Sequence, residues 1–309
     1  MSVPDGSGKK FPAVVFGPGS GPETRDEVLA GQLDMKFGCG VPVFADLASG
    51  LAARGYASVR FDSRSCGPFN GCAQNGYPEP SADFTVSAEL DDLRAAAAWL
   101  AQQPEVDASK IVYVGHSEGA SFAPTLLGDA DTWQGAVMLA AAYHPVDALV
   151  AIQLAESQQL LALSGAPEAQ VAMEFADLQQ AVTDLAALRA GTFKGSNILG
   201  GTPAYWKSLF ELTDAAPMVA ASSAEPLLVL SGDYDRNVPP AELAAWRDLF
   251  SKGKPSVDHE TKLLPCVTHA LNCISQPDIT SIRSSDIGCH VDQHVIDAVI
   301  AFLDSVAGH

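Results

Sequence analysis

Val114-Gly115-His116-Ser117-Glu118-Gly119 is the stretch on which the reading of this 309-residue chain turns. It places G-x-S-x-G directly after the apolar run Ile111-Val112-Tyr113-Val114 and directly before a helical pattern that begins at Ala120. In a strand-to-helix turn this tight, small residues at 115 and 119 let the backbone close up, and the serine Oγ projects above the sheet. Working outward, Pro12 to Phe16, Tyr56 to Phe61, Ala136 to Leu139, Pro226 to Leu230 and Thr261 to Leu264 are further short apolar runs. Most are continuous rather than alternating, as strands buried on both faces of a parallel sheet are. Between them lie longer segments with helical spacing: Val43 to Arg54, stopped by Gly55; Ser87 to Gln103, closed by Pro104; and Val291 to Val306. Glu89, Asp91 and Asp92 sit at the start of the second, where the helix dipole favours acids. Alternating βα units predict an α/β chain with a mostly parallel central sheet flanked by helices.

The pattern changes from about His144 to Ala220. Ala148 to Ser164 and Glu168 to Ala190 are Ala/Leu/Gln-rich helical stretches, and no convincing strand interrupts them. Residues 145–220 are therefore expected to form a helical cap inserted into a core made of residues 1–144 and 221–309. There is no internal repeat.

A nucleophilic Ser117 needs a base to take its proton and an acid to orient that base, and on such an elbow the chain order is Ser, acid, His. Ser231 to Pro239 follows the strand at 226–230 and brings Asp233 and Asp235 to the carboxyl edge of the sheet, where catalytic groups of open α/β sheets collect. Leu263 to His269 follows the last strand and brings an imidazole to that edge. His290 and His294 compete with His269, but they lie at the start of the closing helix, where a solvated or packed role is expected. The Glu118 N–H, next after the nucleophile, is one donor for a developing oxyanion. A phosphate-binding reading of Gly17 to Gly21 is weaker, because no G-x-x-x-x-G-K-[ST] or complete G-x-G-x-x-G follows. Asp62 and Arg64 are expected to serve as a structural ion pair or a loop brace rather than as catalysts.

With these residues assembled, the chain resembles the α/β-hydrolase superfamily, and within it bacterial serine aminopeptidase, dienelactone hydrolase and acyl-aminoacyl peptidase-like hydrolases. The resemblance rests on Pro12 to Asp26, Arg60 to Arg64, the elbow, Pro203-Ala204-Tyr205-Trp206, Gly232 to Pro239 and Leu264 to His269. It implies an α/β-hydrolase fold, Asp235 as the acid of the G-x-x-D-x-x-V-P pattern, and His269 as the base. Aligning Pro18-Gly19-Ser20-Gly21 with the His-Gly-Ser-Gly of such enzymes makes the Ser20 N–H the second oxyanion donor, while Pro18 removes a side chain that commonly braces this loop. Related enzymes also carry an antiparallel hairpin before the first strand. Here the chain starts in what reads as its closing turn, so the expectation is either a fold without that hairpin or a start inside a longer precursor.

The 18 basic and 37 acidic residues give a net charge of −19, with no basic stripe able to neutralise phosphates, so nucleic acid is excluded as the expected partner. No apolar run is long enough to span a membrane, and Met1 does not lead into a signal peptide. The six cysteines show no metal-ligand or CxxC spacing; they read as disulfides of a protein exported to the periplasm or outside the cell, its signal absent from this chain, or else as inert thiols of a cytoplasmic one. No metal or cofactor is called for.

The expected function is a serine carboxylesterase acting on short or medium acyl esters of small molecules, with His116, His144, Tyr205 and Trp206 at the substrate pocket, although the place of His116 inside the elbow favours packing and His144 also reads as the end of a strand. An aminopeptidase or acyl-aminoacyl peptidase is the alternative; its amine anchor would come from cap acids such as Glu156, Glu174 or Asp177. A non-catalytic binding protein on the same fold is a further alternative. Oligomeric state is left open.

Overall fold

The computed structural model describes residues 1–6, 8–29, 40–66, 84–129, 132–163, 167–253, 257–276 and 281–308. Among these residues, eight strands run in the order β1 (Phe11–Gly17), β2 (Val28–Leu29), β3 (Val41–Pro42), β4 (Ala57–Val59), β5 (Val106–His116), β6 (Ala136–Leu139), β7 (Leu227–Gly232) and β8 (Glu260–Leu264). Interleaved are the helices α1 (Val43–Ala52), α2 (Val86–Leu100), α3 (Glu118–Leu126), α4 (Val146–Leu163), α5 (Glu168–Arg189), α6 (Pro203–Ala221), α7 (Pro240–Gly253) and α8 (Gln293–Ala307). Six strands form one sheet in the order β4-β1-β5-β6-β7-β8, every pairing parallel. β2 and β3 form a separate antiparallel pair. At the chain start Ser2 bridges antiparallel to Ser58 on β4.

Two apolar layers hold this sheet, and strand alternation creates both. Ala13, Val15, Ile111, Tyr113, Ala136, Met138, Leu227 and Val229 face α2, α3, α6 and α7. Their neighbours Val14, Phe16, Val112, Val114, Val137, Leu139, Leu228 and Leu230 face α1 and α8. Successive strand side chains point to opposite faces, so a strand covered on both sides has no polar position to spare. Each such Val, Leu or Phe contributes roughly 1.5–3 kcal/mol on burial. β8 lies at the sheet edge and is largely exposed until Leu264.

β5 begins five residues before the apolar run expected from sequence. Its first turn of chain, Asp107 to Lys110, is polar and mostly solvated, and a register irregularity against β1 sits there. Polar edge residues carry no hydrophobic signature, which is why the sequence shows only the later part. β4 is shorter than expected and stops at Val59. The chain leaves the sheet after β6 and re-enters at β7; between them run α4, α5 and α6, with only the bridge Ile198 to Gly201 as extended pairing among the described residues. Val150, Leu185, Leu188, Leu209 and Phe210 of this segment join the same apolar layer as the sheet. Asp62 and Arg64 do not pair with each other, but each braces its loop through another partner: Asp62 binds Arg25 at 2.7 Å, and Arg64 binds Asp92 at 2.6 Å. Helix α2 presents Asp92 to the Arg64 loop, a proximity that spacing does not reveal.

Candidate active site

The centre strand β5 ends at His116, and Ser117 turns the chain into α3 with φ 52° and ψ −118°. A non-glycine residue in this region is strained, and its surroundings hold it there. The Ser117 N–H donates to the Leu139 carbonyl at 2.9 Å. A Cβ on Gly115 would come within 2.3 Å of the Gly119 carbonyl oxygen, and one on Gly119 within 2.2 Å of the Gly17 carbonyl oxygen. The two glycines are therefore needed for β1, β5 and α3 to meet at this point.

Ser117 Oγ lies 3.1 Å from His269 Nε2, and His269 Nδ1 lies 3.0 Å from Asp235 Oδ2. Asp235 is fully buried, and its other oxygen accepts the Asn237 and Val238 N–H groups at 2.9 and 2.8 Å. Those two bonds fix the carboxylate at the end of β7. Asp233, the competing acid, is exposed. His290 and His294 lie on the surface against Asp46 and Asp292.

His269 is carried by the loop 266–273 after β8. Its ends are tied by Cys266 and Cys273, whose sulfurs stand 1.98 Å apart, at disulfide distance. The Thr268 hydroxyl and Asn272 side chain bond across the loop, and the Asn272 amide donates to the Gly288 carbonyl at 2.7 Å. Cys39 and Cys72 lie outside the described residues; among the described cysteines none is free. Among the described residues Cys266, Cys273 and Asp292 come close together, and the two sulfurs stand at disulfide distance from each other.

A cavity of about 770 Å³ opens over Ser117. Ser20, Glu118, His144, Tyr205 and Trp206 line it, together with Phe84, Val150 and Leu209. Glu118 is the first residue of α3, so its N–H belongs to the helix end that has no intrahelical acceptor. His144 is held by Glu242 of α7, which takes its Nδ1 at 2.8 Å and the backbone N–H groups of Tyr143 and His144 at 2.8 and 2.9 Å. His116 does not line the cavity. It is buried beneath Ser117, with Nδ1 3.1 Å from Glu27 Oε1 and Nε2 2.9 Å from the His269 carbonyl oxygen. Of the residues expected at the pocket it is the one placed elsewhere, because its position just before the elbow points it to the opposite face of β5 from α3.

The acids near the site have shifted titrations. Burial pushes the Glu118 carboxyl up to about 7, against the pull of the hydrogen bond donated by the Tyr205 hydroxyl. Burial, reinforced by Glu118, holds Glu89 well above the usual carboxylate range despite nearby Arg64. Glu23 rises to about 7 through burial and the charge of Glu27. Burial presses the His116 imidazole down, but the charge and hydrogen bond of Glu27 and the His269 carbonyl outweigh it and leave the group above its ordinary value.

Sequence reasoning did not find Glu27 or Glu242, and it read Glu89 only as an acid at a helix start. Each lies on an element remote in the chain from the group it serves, and no spacing signals it. Of the cap acids considered as amine anchors, Glu156 pairs with Arg236 at 3.3 Å, Asp177 is exposed, and the Glu174 side chain lies outside the described residues.

Residues 40–273 match the family model described as serine aminopeptidase, S33. Esterase EstD of Thermotoga maritima is 25% identical over 307 residues, which is 98% of this chain and 64% of that protein, so the chain spans somewhat under two thirds of that relative. Polyketide transferase ATR5 of Stachybotrys chlorohalonatus is 26% identical over 255 residues, covering 76% of this chain and 79% of that one. Among solved structures, Est1E from Butyrivibrio proteoclasticus superposes with a TM-score of 0.57 at 13% identity, over 100% of this chain and 93% of its own.

Proposed function

Because this chain belongs to the serine aminopeptidase S33 family within the α/β-hydrolase superfamily, we propose that it is a serine hydrolase that cleaves short or medium acyl esters through an acyl-enzyme on Ser117. The observation that carries this reading is the continuous contact from Ser117 Oγ through His269 to the buried Asp235, at 3.1 and 3.0 Å, on the wall of an accessible cavity. In the first step Ser117 Oγ attacks the ester carbonyl as His269 Nε2 takes its proton. Asp235 stabilises the resulting imidazolium and holds the ring by Nδ1. The carbonyl oxygen gains negative charge, and the N–H groups of Glu118 and Ser20 receive it. Collapse expels the alcohol, protonated by His269; water then attacks the acyl-enzyme by the same route and releases the acid.

The lining supports an apolar acyl group: Phe84, Val150, Trp206 and Leu209 supply apolar surface, and Arg64, which also lines the cavity, is engaged by Asp92 at 2.6 Å. Residues 145–220 serve as the roof of this cavity, since Val150, Tyr205, Trp206 and Leu209 all come from them. Ester rather than amide cleavage is favoured by the relative named as an esterase and by the engagement of Glu156 with Arg236, which removes one candidate anchor for a substrate amine. The bonded sulfurs of Cys266 and Cys273 support work in an oxidising compartment. No described helix is long and apolar enough to cross a membrane.

The test is the set of initial rates on p-nitrophenyl esters of increasing acyl length beside aminoacyl and acyl-aminoacyl p-nitroanilides, with native protein and Ser117→Ala. Ester turnover lost in the variant, with negligible anilide cleavage, is the expected result. Dominant anilide cleavage would replace the esterase with a peptidase, and turnover surviving in Ser117→Ala would remove Ser117 from the chemistry.

A further inference from the structure

Glu27 is a buried acid that the mechanism above does not use. It lies just ahead of β2 at φ 44°, in the strained left-handed region, and its side chain is wholly inaccessible. Its Oε1 accepts the Gly19 N–H at 2.6 Å and lies 3.1 Å from His116 Nδ1. His116 continues through Nε2 to the His269 carbonyl oxygen at 2.9 Å, and the two imidazole rings sit 4.9 Å apart. A carbonyl oxygen only accepts, so Nε2 carries a proton. Whichever atom holds the proton between Nδ1 and Oε1, the chain from the Gly19 amide through Glu27 and His116 to the backbone of His269 is continuous.

Three pieces of the site meet this one polar unit. Gly19 is the residue before Ser20, and a Cβ there would lie 3.3 Å from Ser117 Cβ, so the loop rests against the nucleophile. His116 is the residue before Ser117. His269 is the base, gripped by its own carbonyl. Resting on the serine-hydrolase reading above, we propose that Glu27 is a positioning residue: through Gly19 and His116 it sets the Ser20 N–H and the His269 ring in register with Ser117 for the tetrahedral state. The carboxyl is held through Oε1 alone, Oε2 being buried without a hydrogen-bond partner, and the strain tolerated at Glu27 fits a side chain whose direction matters.

Glu27→Gln keeps the shape and replaces the carboxyl that joins Gly19 to His116 by an amide. A donor misaligned by a fraction of an ångström stabilises the developing oxyanion less while leaving ground-state contacts with the apolar cavity untouched. The expected result on p-nitrophenyl esters is a kcat about ten- to hundred-fold lower with KM within about twofold. Affinity for a trifluoromethyl ketone, which Ser117 Oγ attacks to form a tetrahedral oxyanion adduct, should fall by the same factor. His116→Gln should give a loss of similar size, and the double variant should be no worse than the more severe single one. Each variant is compared after its thermal unfolding shows a folded native state, and if Glu27→Gln does not fold, His116→Gln carries the same measurements. A folded variant with unchanged kcat, a lowered kcat without weaker ketone binding, or additive losses in the double variant would overturn the proposal. Ester turnover persisting in Ser117→Ala would instead overturn the hydrolase reading, so the two failures are distinct.

Discussion

Replacing Glu118 by Gln should make the protein more stable at pH 8 and leave it nearly unchanged at pH 5. In the fold this carboxyl is held by the Tyr205 hydroxyl on the cavity wall, and burial raises it from an ordinary 4.5 to about 7. An acid raised in the folded state resists ionisation there while the unfolded chain ionises freely. Stability contributed by the neutral form is therefore fully present below pH 4.5 and is lost as pH rises towards 7, after which the loss is constant. At 1.36 kcal/mol per unit, the shift corresponds to about 3 kcal/mol, and contact with solvent in the cavity reduces this to an expected value of about 2 kcal/mol. Gln has the shape of the neutral acid and still accepts the Tyr205 hydroxyl, so it removes the loss without removing the contact. Glu89, whose own elevation is reinforced by Glu118, would be relieved in the same direction. Urea unfolding of both proteins, followed by tryptophan fluorescence from pH 5 to 8.5, reads the stability gap directly. Groups that do not interact with Glu118 titrate alike in the two proteins and cancel in the difference. A gap that stays constant with pH, or a variant less stable at pH 8, would refute the argument that burial holds Glu118 neutral.

Two other perturbations address the loops that carry the acid and the base. Asp235→Asn should lower kcat for ester hydrolysis on the order of a thousand-fold near neutral pH with little change in KM, because an amide at 3.0 Å from His269 Nδ1 favours the wrong tautomer; steady-state kinetics at several pH values check this. Replacing both Cys266 and Cys273 by Ala opens a loop with a sequence separation of 7, which should cost about 2.5 kcal/mol. A lowered midpoint in thermal unfolding together with lost turnover is expected, since His269 lies inside that loop.

The parts that could be read in the sequence are those generated by short-range rules. Continuous apolar runs such as Val112 to Val114 and Ala136 to Leu139 mark strands covered on both faces, and the same residues alternate between the two layers of the core. The elbow around Ser117 is legible because its constraint is steric and local: glycines at 115 and 119 are the residues whose missing Cβ lets three elements converge. The helices of 145–220 were visible from composition and spacing, but their joining of the sheet's own apolar layer was not. Polar strand starts such as Asp107 to Lys110 escaped because solvated edges lack a hydrophobic period.

The sequence by itself marked the six strands of the central sheet, their order along the chain and the presence of a serine, an acid and a histidine after three of them, because these follow from local propensity and from the chain order a parallel sheet imposes; it marked neither the β2–β3 pair nor α7. Which acid faces His269 could be weighed only by resemblance. Burial of Asp235 and exposure of Asp233, two residues apart, distinguish them in space. Glu27 beneath His116, Glu242 beneath His144 and Arg64 against Asp92 instead of Asp62 were decided by the tertiary structure alone. Their partners are separated by 89, 98 and 28 residues, and a hydrogen bond across such distances depends on where helices and loops pack, which no local pattern encodes.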